Sequence, residues 1–373
     1  MFGTTVGQGV GSQVPNQMKK VAAKRKGKKP IRYHEYLADY GGCGHWRIIW
    51  PQMLLNSTQT VIGSNTSSMI LEESYYRGLQ SVRIQRQVTP TQLKFVKHLR
   101  SLADRHGFKL IYEVDDIFVL EDIPKYNSFR KAYEDPKLQA SAKEIISMVD
   151  MVTVCSDSMK SYYSKYNKNI KVLPNLPPKF WLDGYFDPSG LIESAMSTTR
   201  PRIMYSGSSA HFDISDNNNG VDDFSHLIDT VFKTVDKYQW VFIGAIPPPL
   251  NNLYREGKLE LHEWCNIYNL PAFINTLNIN AFIAPLHDNV FNQCKSDIKI
   301  VEAGGFGIPC ICQDMITYKN SPLKFKTGDE LVDVLDFLLG DIDNYSKYSR
   351  EYNDITKSRW LDDNLDKYTS VFS

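Results

Sequence analysis

The 373-residue sequence lacks any apolar run approaching the roughly 20 residues that a membrane-spanning helix requires. Residues 1–17 are rich in Gly and Gln and hold no apolar stretch of the kind that marks a secretory leader, so the expected location is the cytoplasm. Cysteine is sparse and scattered, at Cys43, Cys155, Cys265, Cys294, Cys310 and Cys312, which excludes the dense disulfide framework of a small secreted scaffold. His262 and Cys265 fit one helical face, but no second pair stands at zinc spacing. Structural thiols and no metal are therefore expected. Strong overall charge is also missing, because the net charge is only +1. That balance conceals an asymmetry: 19–30 (KKVAAKRKGKKP) is rich in Lys and Arg with no acid, so the remainder is net acidic. An arm containing Lys24, Arg25, Lys26, Lys28 and Lys29 suits nucleic acid or an anionic surface; a solvated tail is the alternative.

What is present describes a globular α/β protein. Hydrophobic residues make up 42% and charged residues 23%, and the length suits two domains at roughly 150 residues each. After a flexible tail (1–30), short apolar strands alternate with helix-length amphipathic stretches, the pattern of parallel sheets. Strands are expected at 82–85, 109–112, 151–154 and 171–173, with helices at 92–105, 136–148 and 158–166. Pro174-Asn-Leu-Pro-Pro178 breaks the series. A second series follows, with strands at 202–205, 240–244, 281–284 and 309–312 and helices at 224–235, 271–277 and 297–304. This organisation gives a first domain over 31–185, a second over 200–340 and closing helices over 341–373.

Three segments carry candidate chemistry. The stretch from Ala284 to Pro309 (APLHDNVFNQCKSDIKIVEAGGFGIP) reads as strand, polar loop, helix and Gly-rich turn. A helix beginning near Ser296 and Asp297, with Lys295 beside it, offers free amides and positive charge to a diphosphate. Glu302, further along that helix, is placed to reach a ribose. The Gly-rich turn Tyr40-Gly-Gly-Cys-Gly-His-Trp-Arg47 opens a helix, so Gly42 and Gly44 allow close approach. His45 there offers proton transfer or packing, and Arg47 a phosphate contact. Arg86, at the end of another strand, is a substrate contact or the partner of a nearby carboxylate. The run Tyr112-Glu-Val-Asp-Asp116 sets Glu113, Asp115 and Asp116 at a strand's carboxyl end, where open α/β sheets bind ligands. Crowded carboxylates supply a general base, Asp115 and Asp116 ahead of Glu113; a helix-capping loop is the alternative.

The "APL…N.F…KSD.K..E…G.GIP" stretch resembles the donor-site motif of GT-B glycosyltransferases, the group of glycogen synthase and sucrose synthase, in a variant common among phage and bacterial members. Ile203-Met-Tyr-Ser-Gly-Ser208, Leu270-Pro271 and Asp150 to Ser156 are similar to further segments of that family, in the same order. The resemblance implies two Rossmann-like domains facing a cleft and a nucleotide-diphosphate sugar, UDP-sugar first, as donor. It places the donor on Asn292, Lys295, Ser296, Asp297 and Glu302, the turn Ser206, Gly207 and Ser208, and Leu270 near the base. Cys294 stands where classical members carry an acid, which leaves the retaining signature incomplete. The phage-type variant also resembles enzymes that glycosylate 5-hydroxymethylcytosine in DNA, and the basic arm suits such an acceptor. A polysaccharide or lipid-linked acceptor, and a non-catalytic DNA-binding or assembly protein on the same fold, are the competing expectations. Oligomeric state is left open.

Overall fold

The computed structural model describes residues 29–214 and 221–373. Two six-stranded sheets, each parallel throughout, organise it. The first has the order β2-β1-β3-β4-β5-β6 and the second β12-β11-β10-β7-β8-β9. The first sheet comprises β1 (Ile31–Tyr36), β2 (Val61–Thr66), β3 (Ser81–Gln85), β4 (Lys109–Glu113), β5 (Met151–Val154) and β6 (Ile170–Val172). The second comprises β7 (Arg202–Gly207), β8 (Gln239–Gly244), β9 (Glu260–His262), β10 (Ala281–Ala284), β11 (Cys310–Gln313) and β12 (Lys324–Phe325).

Strands β1, β2, β9 and β12 escape the apolar-run criterion for physical reasons. Strand β1 carries His34 and Glu35 in its middle, while β2, β9 and β12 are edge strands with polar or very short sequences. His262 belongs to β9, so the helical face it was expected to share with Cys265 does not exist.

Local chemistry fixes the helix ends. Pro90–His106 starts in a capping box between Thr89 and Gln92 and stops at Gly107, whose φ of +74° only glycine adopts cheaply. Ile298–Phe306 stops in the same way at Gly307, φ +69°. It packs against Ile342–Ser358, where a Cβ on Gly304 would lie 2.2 Å from the Tyr352 carbonyl oxygen. The last helix, Leu365–Phe372, returns to the first sheet: the Phe372 ring stacks on Tyr33 with centroids 3.8 Å apart. Among the described residues, no helix is long and apolar enough to cross a membrane.

Strand order reverses between β1 and β3 in the first sheet and between β7 and β10 in the second. Open parallel sheets bind ligands outside the carboxyl ends of the strands at such points, because the flanking connections diverge to opposite faces there.

Candidate functional site

Connections from both switch points line one cavity of about 1020 Å³. Its first-domain wall starts with the Gly-rich turn after β1. Asp39 Oδ1 accepts the amides of Gly41 (2.7 Å) and Gly44 (3.3 Å), so the turn wraps a carboxylate. The chain then enters a helix in which His45–Ile49 is π-wound, a local widening often found at functional sites. Gly42 lines the cavity and has open space where a side chain would stand. Gly44 does not line it; a Cβ there would lie 1.9 Å from the Asp39 carbonyl oxygen, so packing of the turn explains this glycine. His45 lines the cavity but is held, with Nδ1 2.8 Å from the Gly41 carbonyl oxygen and its ring edge-on to Trp50 and Tyr268.

Asp115 and Asp116 follow β4 and line the same cavity. Burial pushes the Asp116 carboxyl up to about 6, and the neighbouring Asp115 adds to the rise while Lys295 and Arg86 oppose it. Arg86 sits at φ +46°, ion-paired with Asp39 and 3.4 Å from Asp115, so its charge already serves two carboxylates.

Glu113 corrects the sequence reading. Its side chain is fully buried, bound to Arg47 Nε (2.7 Å) and near Arg83 Nη1 (3.5 Å), and it does not line the cavity. Arg47 belongs to the same ion-pair network. Its Nη1 donates to the carbonyl of Leu173 and to Asn175 Oδ1 (2.9 Å) and Glu113 balances its charge, while Nη2 is buried without a partner and the residue borders the cavity.

The second-domain wall includes Ser208, Leu270, Ile298, Lys299 and Glu302. Lys299 Nζ lies 2.8 Å from Ser206 Oγ and 3.0 Å from Glu302 Oε2. The sequence reading passed over Lys299; its spacing of three from Glu302 on a helix was the available signal. Lys295 lies outside the lining, its ammonium 5.1 Å from the centre of the Phe291 ring and close enough to Asp116 to hold that carboxyl down.

Other donor-side expectations change on packing grounds. The helix begins at Ile298 with Asp297 preceding it, and Ser296 is no cap: its Oγ accepts from Asn175 Nδ2 at 2.9 Å. Asp297 is spanned by both terminal nitrogens of Arg359, at 2.7 and 2.8 Å. Asn292 is buried and donates to Asp223 (2.5 Å) and the His287 carbonyl (2.8 Å). Gly207 is bare because a Cβ would lie 2.3 Å from Tyr205 Oη. Cys294 is buried, and its thiol is pushed up to about 12 by burial, so it supplies no acid in place of the missing one.

Asp223, also unread in the sequence, accepts from His211 Nδ1 (2.6 Å) and, from the first domain, Tyr126 Oη (2.6 Å). Lys29 is exposed; Lys24, Arg25, Lys26 and Lys28 lie outside the described residues.

No family model and no curated protein matches the chain. Solved structures do. Sucrose-phosphate synthase from Thermosynechococcus elongatus is 12% identical, with a TM-score of 0.60 over 92% of this chain and 99% of that one. HepE from Anabaena, solved in complex with UDP and glucose, is 9% identical, with a TM-score of 0.59 over 91% of this chain and 98% of its own. A glycosyltransferase from Rickettsia africae ESF-5 is 13% identical, with a TM-score of 0.59 over 92% and 98%. The chain is similar to these proteins in fold: it has the GT-B architecture of two Rossmann-like domains facing a cleft.

Proposed function

We propose that this protein is a glycosyltransferase that moves a sugar from a nucleoside-diphosphate sugar, a UDP-sugar first, to a hydroxyl acceptor. The observation that carries the reading is one cavity with a half-buried carboxyl of raised proton affinity, Asp116, on one wall and the Lys299–Ser206–Glu302 group on the other. HepE, of the same fold, has been solved with UDP and with UDP-glucose, which supports the donor class. In this reading Asp116 takes the acceptor proton, Glu302 and Leu270 hold the nucleoside, and Lys299 and Lys295 offset charge on the departing diphosphate. The acceptor we assign is 5-hydroxymethylcytosine in DNA, with the basic residues 19–30 gripping phosphates, in the cytoplasm where DNA and nucleotide sugars meet.

The test is nucleoside-diphosphate release from UDP- and GDP-sugars with hydroxymethylated DNA, unmodified DNA, saccharides or no acceptor. Release stimulated by hydroxymethylated DNA is expected. Lys299→Ala and Glu302→Ala should raise the donor KM about 10- to 100-fold, the worth of a lost charge-assisted hydrogen bond. Release stimulated only by saccharides would transfer the acceptor to that class, and no release under any condition would overturn the transferase reading.

A further inference from the structure

We propose that the first-domain wall of the cavity is a subsite for a planar aromatic or heteroaromatic ring bearing the acceptor hydroxyl, with Tyr40 and Phe129 as its stacking surfaces. The subsite rests on the transferase reading and adds to it the residues that hold and select the acceptor ring.

The connection from β4 to the helix Pro136–Met148 runs through residues 114–135, much longer than the ~2–6 residues usual between a strand and its helix. It is nonetheless held firmly. Arg130 donates to the carbonyls of Leu120 and Ile123, Gln139 Nε2 to the Phe118 carbonyl (2.7 Å), and Tyr126 Oη to Asp223 across the cleft. Beyond Asp115 and Asp116 it presents Ile117, Ile123, Ala132 and Tyr133 to the cavity, an apolar wall beside the proton acceptor. Two large rings on this side stay open to solvent although they line the cavity: Phe129 is 63% exposed and Tyr40 is 61% exposed. Folding gains little from rings left in water, whereas a flat ligand gains by stacking on them.

Much of the polar capacity on this wall is engaged, and the buried atoms without a hydrogen-bond partner are few: Asp115 Oδ1, Arg86 Nε and Arg47 Nη2. Asn127 Oδ1 accepts the Phe129 amide at 2.9 Å, Arg86 is held between Asp39 and Asp115, and Asp39 also accepts the Gly41 amide. Those few atoms suit one hydroxyl and its ring substituents, whereas a sugar, polar around its whole rim, would set further hydroxyls against Ile117, Ile123 and Ala132. Transfer then balances simply. The acceptor oxygen bonds to the anomeric carbon, that carbon's bond to the diphosphate oxygen breaks with its electron pair leaving on the diphosphate, and the hydroxyl proton passes to the Asp116 carboxylate.

The experiment compares two ring acceptors, benzyl alcohol and 5-hydroxymethyl-2′-deoxycytidine, with glucose and maltose. Binding is read by saturation-transfer NMR on the full chain, and acceptor KM by nucleoside-diphosphate release. Ring compounds should bind and the sugars should not. Phe129→Ala and Tyr40→Ala should weaken ring binding roughly 5- to 100-fold, the range for loss of one stacking partner, and Phe129→Tyr should restore it. UDP affinity serves as the control for folding. Ring binding unmoved by both alanine variants, or sugars binding as well as rings, would overturn the subsite. Rings that bind and respond to the variants without any donor cleavage would uphold the subsite and sink the transferase reading. Donor cleavage with sugars as the only acceptors would do the reverse.

Discussion

Asp116→Asn is expected to lower kcat by about 10²–10⁴-fold, the usual contribution of a positioned general base, while leaving donor KM within a few fold. The carboxyl lies beside the apolar wall and burial raises its proton affinity to about 6, so a large fraction is ionised at neutral pH yet basic enough to accept a proton. In the parent protein kcat/KM should therefore rise as pH climbs through about 6, and that limb should vanish in the variant. Stability should move the other way. A carboxyl whose folded proton affinity is raised from 3.8 to about 6 binds protons more tightly folded than unfolded, so its contribution to stability is complete below the unfolded value and is lost as pH rises through about 6. Above that pH Asp116→Asn should melt no lower than the parent. An inactive variant with an unchanged melting curve would confirm the assignment; one that keeps full turnover would remove Asp116 from the chemistry.

Glu113→Gln should do something different: destabilise the fold by about 3–5 kcal/mol, the cost of breaking a buried ion pair from one side. Glu35, Arg83, Glu113 and Arg47 form a chain of charges inside the first domain, each no more than 1% exposed. Glu35 and Arg83 face each other in register on β1 and β3, and Glu113 stands opposite Thr153 on β5, whose hydroxyl donates to it. Arg83 Nε bonds Glu35 at 2.6 Å, Gln52 holds the other Glu35 oxygen at 3.0 Å, and the Phe372 ring covers the Arg83 guanidinium at 5.1 Å. Removing the Glu113 charge leaves Arg47 and part of Arg83 uncompensated where water cannot reach. The melting temperature should fall on the order of 10 °C, measured by calorimetry, with activity per folded molecule retained at low temperature. A thermally normal but inactive Glu113→Gln would return Glu113 to the active site.

These two carboxylates lie three residues apart, and only one faces the cavity. Both occupy the carboxyl end of an apolar strand, and the sequence ranks them by crowding alone. Their different fates come from partners far along the chain: Glu113 meets Arg47, 66 positions away, and Arg47 meets Asn175, 128 positions away. Asp297 is likewise claimed by Arg359 and Asn292 by Asp223, while Lys299, on the same helix as Glu302, is left at the cavity.

By itself the sequence determined the α/β class, most of the inner strands, several of the helices, and the order of segments that marks the GT-B fold. Those features follow from residues within a few positions of one another, through side-chain period, backbone freedom and capping, all local to the chain. The tertiary structure alone decided which charged groups are spent inside the fold and which remain for a ligand, and it brought Tyr40, Phe129 and Asp116 to one cavity. Burial and ion pairing join residues that no local period connects, so that choice is written only where the two sheets and their connections meet.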